Sequence, residues 1–595
     1  MTASSTDAAT GTTAPAAVRS ARIERPLHKR DRSYDSCGDR TPLLGLTIGQ
    51  CLENVAALYP DNDAVVSVHQ DIRFTYSEFN EVVNRAAKAL LKLGIQKGDR
   101  VAMWSTNNYE WITGQYATAK IGAILVNVNP AYRSHELEYV LQQSRAKVLM
   151  LIEEFKSSNY VDMLYEVCPE VKDATPGHID SWRFPHLESV VFIGSKEYPG
   201  MFTRRSFVEL GEELPDSVLA ERMAELDIDD DINIQYTSGT TGFPKGVTLT
   251  HNNILNNAYY VARNMRLTSD DRLCVPVPFY HCFGMVLANL AALTAGTAIV
   301  IPSPAFEAEA ALKAVAAEGC TALHGVPTMF IAELQHPDFE QYDLSSLRTG
   351  IMAGAPCPTD VMRDVIEEMH MSDILIAYGQ TEVSPVATMT RPDDPLELRV
   401  STVGRVMPQQ ELKIVDPETG QTVPYGEPGE ICFRGYHVMA RYDNMPTETA
   451  QTIDEKRWLH SGDIGTMDAD GYVKITGRIK DMVIRGGENL YPAEIEEFIR
   501  TIDAVYDVAV VGVPDEKYGE ELLAWIKLKE GAAEPTTDEW RAMCKGRIAH
   551  FKVPRYWKVV DEFPMTVTGK IQKFRIRDAA VQELGLQSAA SIETA

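Results

Sequence analysis

Short apolar runs alternate with amphipathic helical stretches along much of this chain, and this alternation limits the fold more than any other feature. One series lies between Arg100 and Leu151, and a second lies between Thr297 and Gly379. Runs such as "RVAMW", "AILVNV" and "TAIVIP" have the length of buried strands. Parallel strands joined by crossover helices produce this pattern. The sequence therefore predicts an α/β fold with two stretches of doubly wound sheet.

Two further units are predicted in the second half of the chain. After Val400 the sequence is rich in turns and short strands, and Asp468 to Gly471 is typical of a hairpin turn. After Arg478 a smaller α+β unit follows, in which Pro492 opens a helix. We therefore predict a large N-terminal domain with a β-rich subdomain and a smaller α+β C-terminal domain, joined at Lys480. The predicted boundaries are a disordered tail over 1–41, the large domain over 42–479 and the small domain over 480–595.

The charge and the cysteines of the chain exclude some classes of protein. Its 595 residues carry a formal net charge of -27, whereas a protein that binds nucleic acid or an anionic membrane needs a basic surface. We expect neither partner. The nine cysteines are odd in number and never spaced as C-x-x-C. This favours reduced thiols in a cytoplasmic compartment over disulfides or a zinc site.

An uncharged stretch from Leu273 to Phe306 is long enough to span a bilayer. Prolines flank it, and polar residues such as His281 and Asn289 interrupt it. This composition favours a strand, a buried helix and a second strand over a membrane segment. We therefore predict no integral membrane segment.

The stretch "QYTSGTTGFPKGV", from Gln235 to Val247, predicts a site for an anion. Its glycines permit a backbone turn in which several amide groups point at one anion, and its hydroxyl groups add donors. A flexible linker has a similar composition, but the apolar stretches on both sides favour a loop between two strands. Lys245 adds a positive charge that can pair with a phosphate. The other residues of this site are Thr237, Ser238, Gly239, Thr240, Thr241 and Gly242.

Five motifs follow one another along the chain. They are "YTSGTTGFPKGV", "AYGQTE" from Ala377, "HSGD" from His460, "GRIKD" from Gly477 and "TGK" from Thr568. On these motifs, the sequence from about Thr47 to Ala579 resembles the adenylate-forming, AMP-binding enzymes. Within that superfamily it is most similar to medium-chain acyl-CoA synthetases of the acyl-CoA synthetase family member two type.

The resemblance assigns residues to the adenine, the phosphates and a metal ion. It places Tyr378 against the adenine, Thr381 at the α-phosphate and Glu382 on Mg²⁺, with Thr240 as a second ligand. A carboxylate oxygen suits such a hard cation. Taken alone, Glu382 is equally compatible with a solvated surface acid. The remaining candidates for nucleotide contacts are Gly354, Ala355, Pro356, Gly379 and Gln380.

Two more residues are assigned to the ribose by the same resemblance. Asp463 accepts both ribose hydroxyls in this interpretation, and Arg478 donates to the ribose or to a phosphate. The alternatives are a turn-capping aspartate and a surface ion pair.

The resemblance places His281, in "PFYHCFG", at the mouth of the acyl pocket, although a histidine between aromatic residues also occurs in protein cores. Relatives that adenylate amino acids carry an acid in this region. No acid lies between Arg272 and Glu307, so an α-amino acid would bury an unpaired ammonium. The expected substrate is a carboxylic acid without that charge. The candidate walls of the acyl pocket are Phe283, Val326, Met329 and Val383.

A mobile C-terminal domain with Lys480 as its hinge is also implied by the resemblance. In one orientation Lys570 enters the active site and bridges the substrate carboxylate and the α-phosphate. In a second orientation the domain lines the channel for coenzyme A. The residues assigned to coenzyme A are Gly486, Gly487, Glu488, Lys552 and Arg555. For the last two, an exposed basic patch is the alternative.

The implied activity is that of an acid:CoA ligase, which uses ATP, Mg²⁺ and coenzyme A. A fatty or related carboxylic acid becomes acyl-AMP, pyrophosphate leaves, and the acyl group passes to CoA. Transfer to a carrier-protein thiol and an aryl substrate of the 4-coumarate type stay open as alternatives. A luciferase-like oxygenase shares the motifs, and a silent nucleotide-binding module is disfavoured because Lys245, Glu382 and Lys570 are all present. The sequence does not determine acyl chain length or oligomeric state, a homodimer included.

Overall fold

A computed structural model describes residues 32–38, 41–237, 244–355, 357–485, 488–515, 517–545, 547–565 and 571–586. These residues form two large sheets flanked by helices, a β-rich subdomain and a smaller C-terminal unit. The predicted fold class, α/β with a large N-terminal part and a smaller α+β part, is confirmed.

The first large sheet has eight strands, and the first predicted series lies at its centre. Strands Arg100–Trp104, Ile124–Asn127 and Val148–Leu151 are parallel neighbours. Their apolar side chains are buried, as near-continuous apolar runs in a sheet covered on both faces predict. In spatial order the strands are Phe202–Thr203, Ser189–Phe192, Val148–Leu151, Arg100–Trp104, Ile124–Asn127, Asp231–Thr237, Lys245–Thr250 and Arg441–Tyr442.

The second large sheet has nine strands and carries the second predicted series. Its parallel strands run from Asp63–Ser67 across to Asp373–Gly379, and antiparallel strands cover both edges. Ligands of open α/β sheets bind at the carboxyl ends of such strands. In spatial order the strands are Arg405–Val406, Val386–Met389, Asp373–Gly379, Thr349–Ala353, Ala322–Leu323, Arg272–Cys274, Ala298–Ile301, Asp63–Ser67 and Ile72–Thr75.

Helices pack around both sheets, and several begin at a side-chain cap. Thr75 and Asn108, for example, accept backbone hydrogen bonds at the start of helices Tyr76–Lys92 and Tyr109–Ile121. The α-helices of this part are Ile48–Leu58, Tyr76–Lys92, Tyr109–Ile121, Ser134–Ser144, Tyr160–Val167, Arg204–Glu212, Asp216–Ala224, His251–Asn264, Cys282–Gly284, Ala291–Ala295, Ala308–Glu318, Pro327–Leu334, Thr359–Glu368, Leu396–Ser401 and Pro446–Thr452. Met285–Leu290 is a π-helix, and the 3₁₀ turns are Val68–Gln70, Pro169–Asp173, Phe339–Gln341, Thr381–Val383 and Ile479–Asp481. Glu154–Phe155 and Ser158–Asn159 form a separate hairpin.

The β-rich subdomain is a five-stranded antiparallel sheet, as the turn-rich sequence after Val400 predicts. The predicted hairpin turn at Asp468 to Gly471 joins its last two strands. In spatial order the strands are Tyr34–Ser36, Gln410–Val415, Gly429–Gly435, Leu459–Met467 and Val473–Arg478.

The first of these strands lies inside the predicted tail. Tyr34–Ser36 pairs with Gln410–Val415, so the prediction of a disordered tail over 1–41 is wrong for these residues. Tyr34 Oη donates to Glu411 Oε2 at 2.8 Å, and the Tyr34 ring meets the edge of Trp458. These partners lie far along the chain, so the local sequence contains no signal for this strand.

The smaller C-terminal unit has helices on both faces of its sheet. Pro492–Arg500 and Thr537–Cys544 pack on one face, and Lys573–Glu583 covers the other. Pro492 occupies the first turn of its helix, as predicted. Lys474 of the β-rich subdomain lies 3.5 Å from Glu497 of this unit. In spatial order the strands are Glu488–Leu490, Val483–Arg485, Gly519–Leu528 and Val505–Asp515, and Tyr556–Val559 also pairs with Gly519–Leu528.

The uncharged stretch forms strand Arg272–Cys274, helical turns, and strand Ala298–Ile301, which confirms the predicted strand, helix and strand. Within the ranges given above, no helix is both long and apolar enough to cross a membrane. All nine cysteines are free thiols, and most are buried.

One buried acid stands out in the second large sheet's helical layer. Glu333, on helix Pro327–Leu334, is 1% exposed, and neither of its carboxyl oxygens has a hydrogen-bond partner among the described residues. Burial raises the pKa of Glu333 to about 8. Glu333 is therefore mostly protonated at neutral pH. Met329, a predicted wall residue, lies one turn earlier on the same helix face.

Replacing Glu333 by methionine should remove a pH-dependent loss of stability. The folded protein holds this proton up to a pKa of about 8, whereas the unfolded chain releases it near the ordinary pKa of 4.5. Ionisation therefore favours unfolding as the pH rises through this window. The thermal midpoint of the parent protein should fall more steeply between about pH 5 and pH 8 than that of Glu333→Met. Circular dichroism melts would check this, with the exposed Glu340→Met as control, and parallel slopes for all three proteins would contradict it.

Candidate active site

Three predicted nucleotide residues meet at one edge of the second large sheet. Tyr378 Oη donates a hydrogen bond to Asp463 Oδ2 at 2.7 Å, and Arg478 Nε lies 3.0 Å from Asp463 Oδ1. Asp463 is 7% exposed, so its charge is held by these two partners in a mostly dry environment. Burial and the neighbouring Asp463 raise the pKa of Tyr378, which keeps the phenol protonated as a donor.

Sheet pairing brings these residues together. The strand Asp373–Gly379 delivers Tyr378 at its carboxyl end, where the ligands of open α/β sheets bind. Asp463 and Arg478 are directly paired in the antiparallel strands Leu459–Met467 and Val473–Arg478. Paired residues of antiparallel strands have side chains on the same face. The predicted grouping of Tyr378, Asp463 and Arg478 is thus present in the structure.

A second cluster links the two large sheets at the predicted phosphate site. Glu382 lies in the buried 3₁₀ turn Thr381–Val383, and Tyr442 Oη donates to Glu382 Oε1 at 2.8 Å. Lys245 Nζ lies 4.9 Å from the centre of the Tyr442 ring, which is within cation–π range. Burial raises the pKa of Glu382, while Tyr442 and Lys245 oppose that shift. Lys245 and Glu382 therefore both contact Tyr442, Lys245 at the ring and Glu382 at the hydroxyl group.

The predicted anion loop joins two antiparallel strands of the first large sheet. Asp231–Thr237 and Lys245–Thr250 are neighbours, and Thr237 pairs with Lys245 at the mouth of the loop. The prediction that this loop joins two strands is confirmed. A nucleoside-triphosphatase loop, by contrast, leads directly into a helix. The predicted contacts Ser238, Gly239, Thr240, Thr241 and Gly242 lie outside the described residues.

The predicted mouth of the acyl pocket lies at the short helix Cys282–Gly284. His281 caps this helix, since its Nδ1 accepts from the Phe283 backbone N at 3.2 Å. Cys282 Sγ lies 3.7 Å from His281 Nδ1 and 3.8 Å from Thr381 Oγ1. Two predicted catalytic residues, His281 and Thr381, therefore flank one thiol.

The four predicted wall residues belong to one apolar cluster. Phe283 and Val383 are buried in it, and Val326 and Met329 pack against it. The Phe283 ring lies 5.4 Å from the ring of His324, a buried residue that the sequence analysis does not single out. Burial lowers the pKa of His324 to about 4, so this ring is neutral. His324 therefore places no positive charge beside Phe283.

Two predicted nucleotide residues are glycines for steric reasons. Gly354 has φ +89, a conformation that other residues rarely adopt, and a Cβ there would lie 3.2 Å from Val326 Cγ1. A Cβ at Gly379 would lie 1.9 Å from the carbonyl oxygen of Pro385. Gly379 therefore lets the Pro385 backbone approach closely, and Gly354 permits a positive φ beside Val326. Of the other candidates, Ala355 is exposed, Gln380 directly precedes the Thr381–Val383 turn, and Pro356 lies outside the described residues.

The predicted hinge lies in the 3₁₀ turn Ile479–Asp481, directly after Arg478. Partial burial and the Arg478 guanidinium lower the pKa of Lys480. The strand that carries Arg478 therefore ends where the predicted joint begins. Hinge motion itself stays a prediction.

The predicted residues for coenzyme A fall partly outside the described ranges. Lys552 Nζ lies 2.5 Å from Glu494, and Arg555 lies 2.7 Å from Asp515, so both cations are paired within the smaller unit. Their role toward CoA stays a prediction. Lys570, Gly486 and Gly487 lie outside the described residues, and only the backbone of Glu488 is described.

The surroundings of Glu382 fit a hard cation. Glu382 is 8% exposed, and its described side-chain partner is the Tyr442 hydroxyl and not a directly paired cation. A carboxylate buried in this way is costly unless a positive charge neutralises it. Oxygen is the ligand atom that Mg²⁺ prefers. Thr240, the second predicted ligand, is not among the described residues.

Comparison with protein families identifies the class. Residues 52–443 match the AMP-binding enzyme family, and residues 494–570 match the AMP-binding enzyme C-terminal domain. The first match alone covers more than half of the chain. The chain therefore belongs to the AMP-binding enzyme family.

Two similar proteins carry the names of acyl-CoA synthetases or ligases. The Bacillus subtilis protein YngI, whose acyl-CoA synthetase name is provisional, is 53% identical over 546 residues, which are 92% of this chain and 99% of YngI. The mitochondrial medium-chain acyl-CoA ligase ACSF2 of Danio rerio is 46% identical over 547 residues, which are 92% of this chain and 90% of that ligase.

Solved structures agree with the relatives. An anthranilate CoA ligase, AuaEII, with anthranoyl-AMP superposes with a TM-score of 0.79 at 29% identity, over 92% of this chain and 99% of that one. ATP-bound MatB from Rhodopseudomonas palustris gives a TM-score of 0.76 at 28% identity, over 90% and 99%. The predicted activity is confirmed: the protein is an acyl-CoA synthetase, an acid:CoA ligase that uses ATP and CoA.

Tyr442, like His324, is a residue of the candidate site that the sequence analysis does not identify. It lies in the short strand Arg441–Tyr442, which pairs with Lys245–Thr250 and so brings Tyr442 close to Lys245. The motif "MARY" signals an aromatic residue in a short apolar stretch, but it does not identify the partners. Those partners follow only from pairing between distant strands.

The Tyr442→Phe variant should lose catalytic efficiency because it keeps the ring under Lys245 and removes only the hydrogen bond to Glu382. Hydrogen bonds to charged groups contribute roughly 1.5–3 kcal/mol, so kcat/KM for ATP should fall roughly 10- to 100-fold. The Mg²⁺ concentration for half-maximal rate should rise. Tyr442→Leu also removes the cation–π contact and should raise KM for ATP further.

Steady-state kinetics with varied ATP and Mg²⁺ measure both effects. The matched control is Tyr472→Phe, whose hydroxyl donates to Asp394 instead of to Glu382. Kinetics of Tyr442→Phe that match those of the control would show that Tyr442 does not support Glu382.

Proposed function

We propose that the acid activated by this synthetase is a medium-chain aliphatic acid. The predicted wall residues Phe283, Val326, Met329 and Val383 are all apolar and lie in or against the main core of the large N-terminal part, and this observation carries the proposal. Each buried CH₂ group of a substrate gains about 0.8 kcal/mol, so such walls select for hydrocarbon. No acid lies between Arg272 and Glu307 to pair a substrate ammonium. The names of the medium-chain ligases among the relatives support the length.

In the proposed first step, a carboxylate oxygen of the substrate attacks the α-phosphorus of ATP. The bond from this phosphorus to pyrophosphate breaks, and acyl-AMP forms. Tyr378 stacks on the adenine and Asp463 accepts the ribose hydroxyls. A carboxylate accepts about four hydrogen bonds, so Asp463 can keep Tyr378 and Arg478 while it binds both hydroxyls. Lys570 enters to bridge the two reacting anions.

The leaving pyrophosphate is assigned to Lys245 and the loop after Thr237. The Lys245 ammonium lies over the Tyr442 ring, and both Thr237 and Lys245 stand at the mouth of the loop. A phosphate oxygen attracts this cation more strongly than an aromatic face does. Mg²⁺, held by Glu382 and Thr240, would supply neutralising charge for the phosphates.

In the proposed second step, the smaller domain turns about Lys480. Lys570 withdraws, and the face with Gly486, Gly487 and Glu488 approaches the acyl-adenylate. The CoA thiol releases its proton to solvent, and its sulfur bonds to the acyl carbonyl carbon. The bond from this carbon to the AMP phosphate oxygen breaks, and AMP leaves. Lys552 and Arg555 are the proposed partners of the CoA phosphates. The domain boundary at Lys480 and the mobility of residues 480–595 belong to this proposal.

An aryl acid is the second candidate substrate. The likeness to the anthranilate CoA ligase, at a TM-score of 0.79, favours it. Phe283 and His324 would supply ring faces beside such a substrate. Both candidates use the same nucleotide residues, so only the acid distinguishes them.

The setting of the enzyme also belongs to the proposal. We assign it to a reducing, cytoplasmic compartment, which nine free cysteines support. A homodimer is one proposed oligomeric state, and the mass measured by size-exclusion chromatography with light scattering would test it.

An AMP-release assay with CoA tests the proposed substrate. Straight-chain acids from butyrate to palmitate are compared with benzoate and anthranilate, and kcat/KM should be highest between hexanoate and decanoate. A maximum at an aromatic acid would favour the second candidate, and one at palmitate would overturn the medium-chain proposal. A phosphopantetheinyl carrier protein in place of CoA tests the other acceptor, and we expect CoA to be preferred.

Lys570→Ala should abolish acyl-AMP formation and largely spare thioester formation from supplied acyl-AMP. The lysine is proposed to act only in the first orientation of the domain. The matched control is Lys573→Ala, which removes an ion pair to Glu496 at 2.7 Å and not the bridging charge. Pyrophosphate–ATP exchange measures the first half-reaction, and CoA-dependent consumption of acyl-AMP measures the second. Equal losses in both would contradict the alternation of domains.

Gly487→Trp should give the reverse result. A large side chain on the face proposed for CoA would block thioester formation, while pyrophosphate–ATP exchange continues near the parent rate. Gly45→Trp serves as control, because a Cβ at Gly45 meets nothing within 4 Å. Loss of exchange in the Gly487 variant would place Gly487 in the adenylation step instead.

A further inference from the structure

Three potential metal ligands share one face of the β-rich subdomain. Glu430 and Cys432 are two residues apart on strand Gly429–Gly435, so their side chains point to the same side. His460, on strand Leu459–Met467, pairs directly with Cys432. The register of the sheet therefore gathers a carboxylate, a thiol and an imidazole, although the spacing of the cysteines along the sequence gives no metal motif.

The ligand atoms of this group are close to the spacing that a tetrahedral ion requires. Glu430 Oε2 lies 2.7 Å and Cys432 Sγ lies 3.5 Å from His460 Nδ1, and all three atoms are within 4.8 Å of one another. With typical zinc bond lengths, tetrahedral geometry separates sulfur from nitrogen by roughly 3.5 Å and nitrogen from oxygen by roughly 3.4 Å. The thiol and imidazole thus have the required separation already. The carboxylate has to withdraw by less than an ångström.

The site is enclosed on one side and open on the other. Cys432 is 0% exposed, whereas the His460 side chain is 32% exposed and provides an entrance for an ion. Asp454 Oδ2 lies 3.9 Å from His460 Nε2, on the side of the ring away from the other ligands. Carboxylates in this position orient metal-bound histidines in many proteins.

The charges near the group favour a cation. Glu430 and Asp454 are acidic, and a thiolate at Cys432 would add a third negative charge. Two cations lie on the same side of the sheet: Lys413 pairs with Cys432 across the next strand, and Arg434 is two residues after Cys432 and pairs with Glu411. Lys413 has a further contact. Its ammonium lies 4.4 Å from the centre of the Trp458 ring, so it already has a partner.

We propose that Glu430, Cys432 and His460 form a binding site for a thiophilic divalent ion such as Zn²⁺. Cys432 Sγ, His460 Nδ1 and Glu430 Oε2 are the ligands, and water is the fourth. The thiol proton goes to solvent when the ion binds, because the thiolate is the ligand form of cysteine. The mixed sulfur and nitrogen set separates this site from the oxygen-based Mg²⁺ site at Glu382.

The position of the site gives it a link to the nucleotide. Glu430 Oε1 accepts a hydrogen bond from the Gly462 backbone N at 3.1 Å, and Asp463 is the next residue. An ion on Oε2 leaves this contact in place. It would join the two strands beside Asp463 and stabilise the irregular part of strand Leu459–Met467 that carries that carboxylate.

Cobalt titration of the metal-free, full-length enzyme, without nucleotide, tests the proposal. Co²⁺ bound to a thiolate gives a near-ultraviolet charge-transfer band that oxygen ligands do not produce. The parent protein should develop this band up to one equivalent, and Zn²⁺ should abolish it. Cys432→Ser should lose the band, and Cys544→Ser, which alters a buried cysteine of the smaller unit, should keep it.

His460→Gln is the second ligand variant, in case Cys432→Ser does not fold, and it should weaken cobalt binding at least tenfold. Absence of the band in the parent protein would overturn the proposal. A band of equal strength in Cys432→Ser, or unchanged cobalt affinity in His460→Gln, would do so as well. The readout reports sulfur ligation and not turnover, so its failure would leave the proposed ligase function untouched.

Discussion

The buried carboxylate of Glu382 is the constraint on which the arrangement of the active site depends. It follows the last parallel strand of one large sheet, while its partner Tyr442 belongs to an edge strand of the other. A charge in that position is tolerated only with hydrogen bonds and a neighbouring cation. Tyr442 supplies the hydrogen bond and also carries Lys245 on its ring. The hydrogen bond from Tyr442 to Glu382 therefore links the two sheets at the predicted phosphate site.

Asp463 is the second carboxylate that connects separate parts of the candidate site, and its partners differ from those of Glu382. Tyr378 belongs to the second large sheet and Arg478 to the β-rich subdomain. The Asp463 carboxylate therefore connects these two parts of the protein. Both of its oxygens are engaged before any ligand is present. Preorganised groups of this kind bind without a large loss of conformational freedom. The candidate site therefore contains two mostly buried carboxylates, Asp463 proposed for the ribose and Glu382 proposed for a cation.

Sequence patterns predict some elements and contacts of this protein and not others, for physical reasons. The alternation of strands and helices between Arg100 and Leu151 is predicted correctly, since periodicity is local. Tyr378 falls at the carboxyl end of a parallel strand, where the ligands of open α/β sheets bind. Tyr442, the strand Tyr34–Ser36 and the pairing of Cys432 with His460 depend on contacts between distant segments. No local period encodes such contacts, so the sequence names the parts of the site and not all of their partners.

The direct pairing of Asp463 with Arg478, one residue before the turn Ile479–Asp481, has a mechanical consequence. Atoms near a pivot move little when the body beyond it rotates. The proposed ribose contact lies directly beside the proposed hinge at Lys480, whereas Lys570 follows much later in the sequence. In the proposed rotation the nucleotide therefore keeps its ribose contact, while the residues of the smaller domain that face its α-phosphate change.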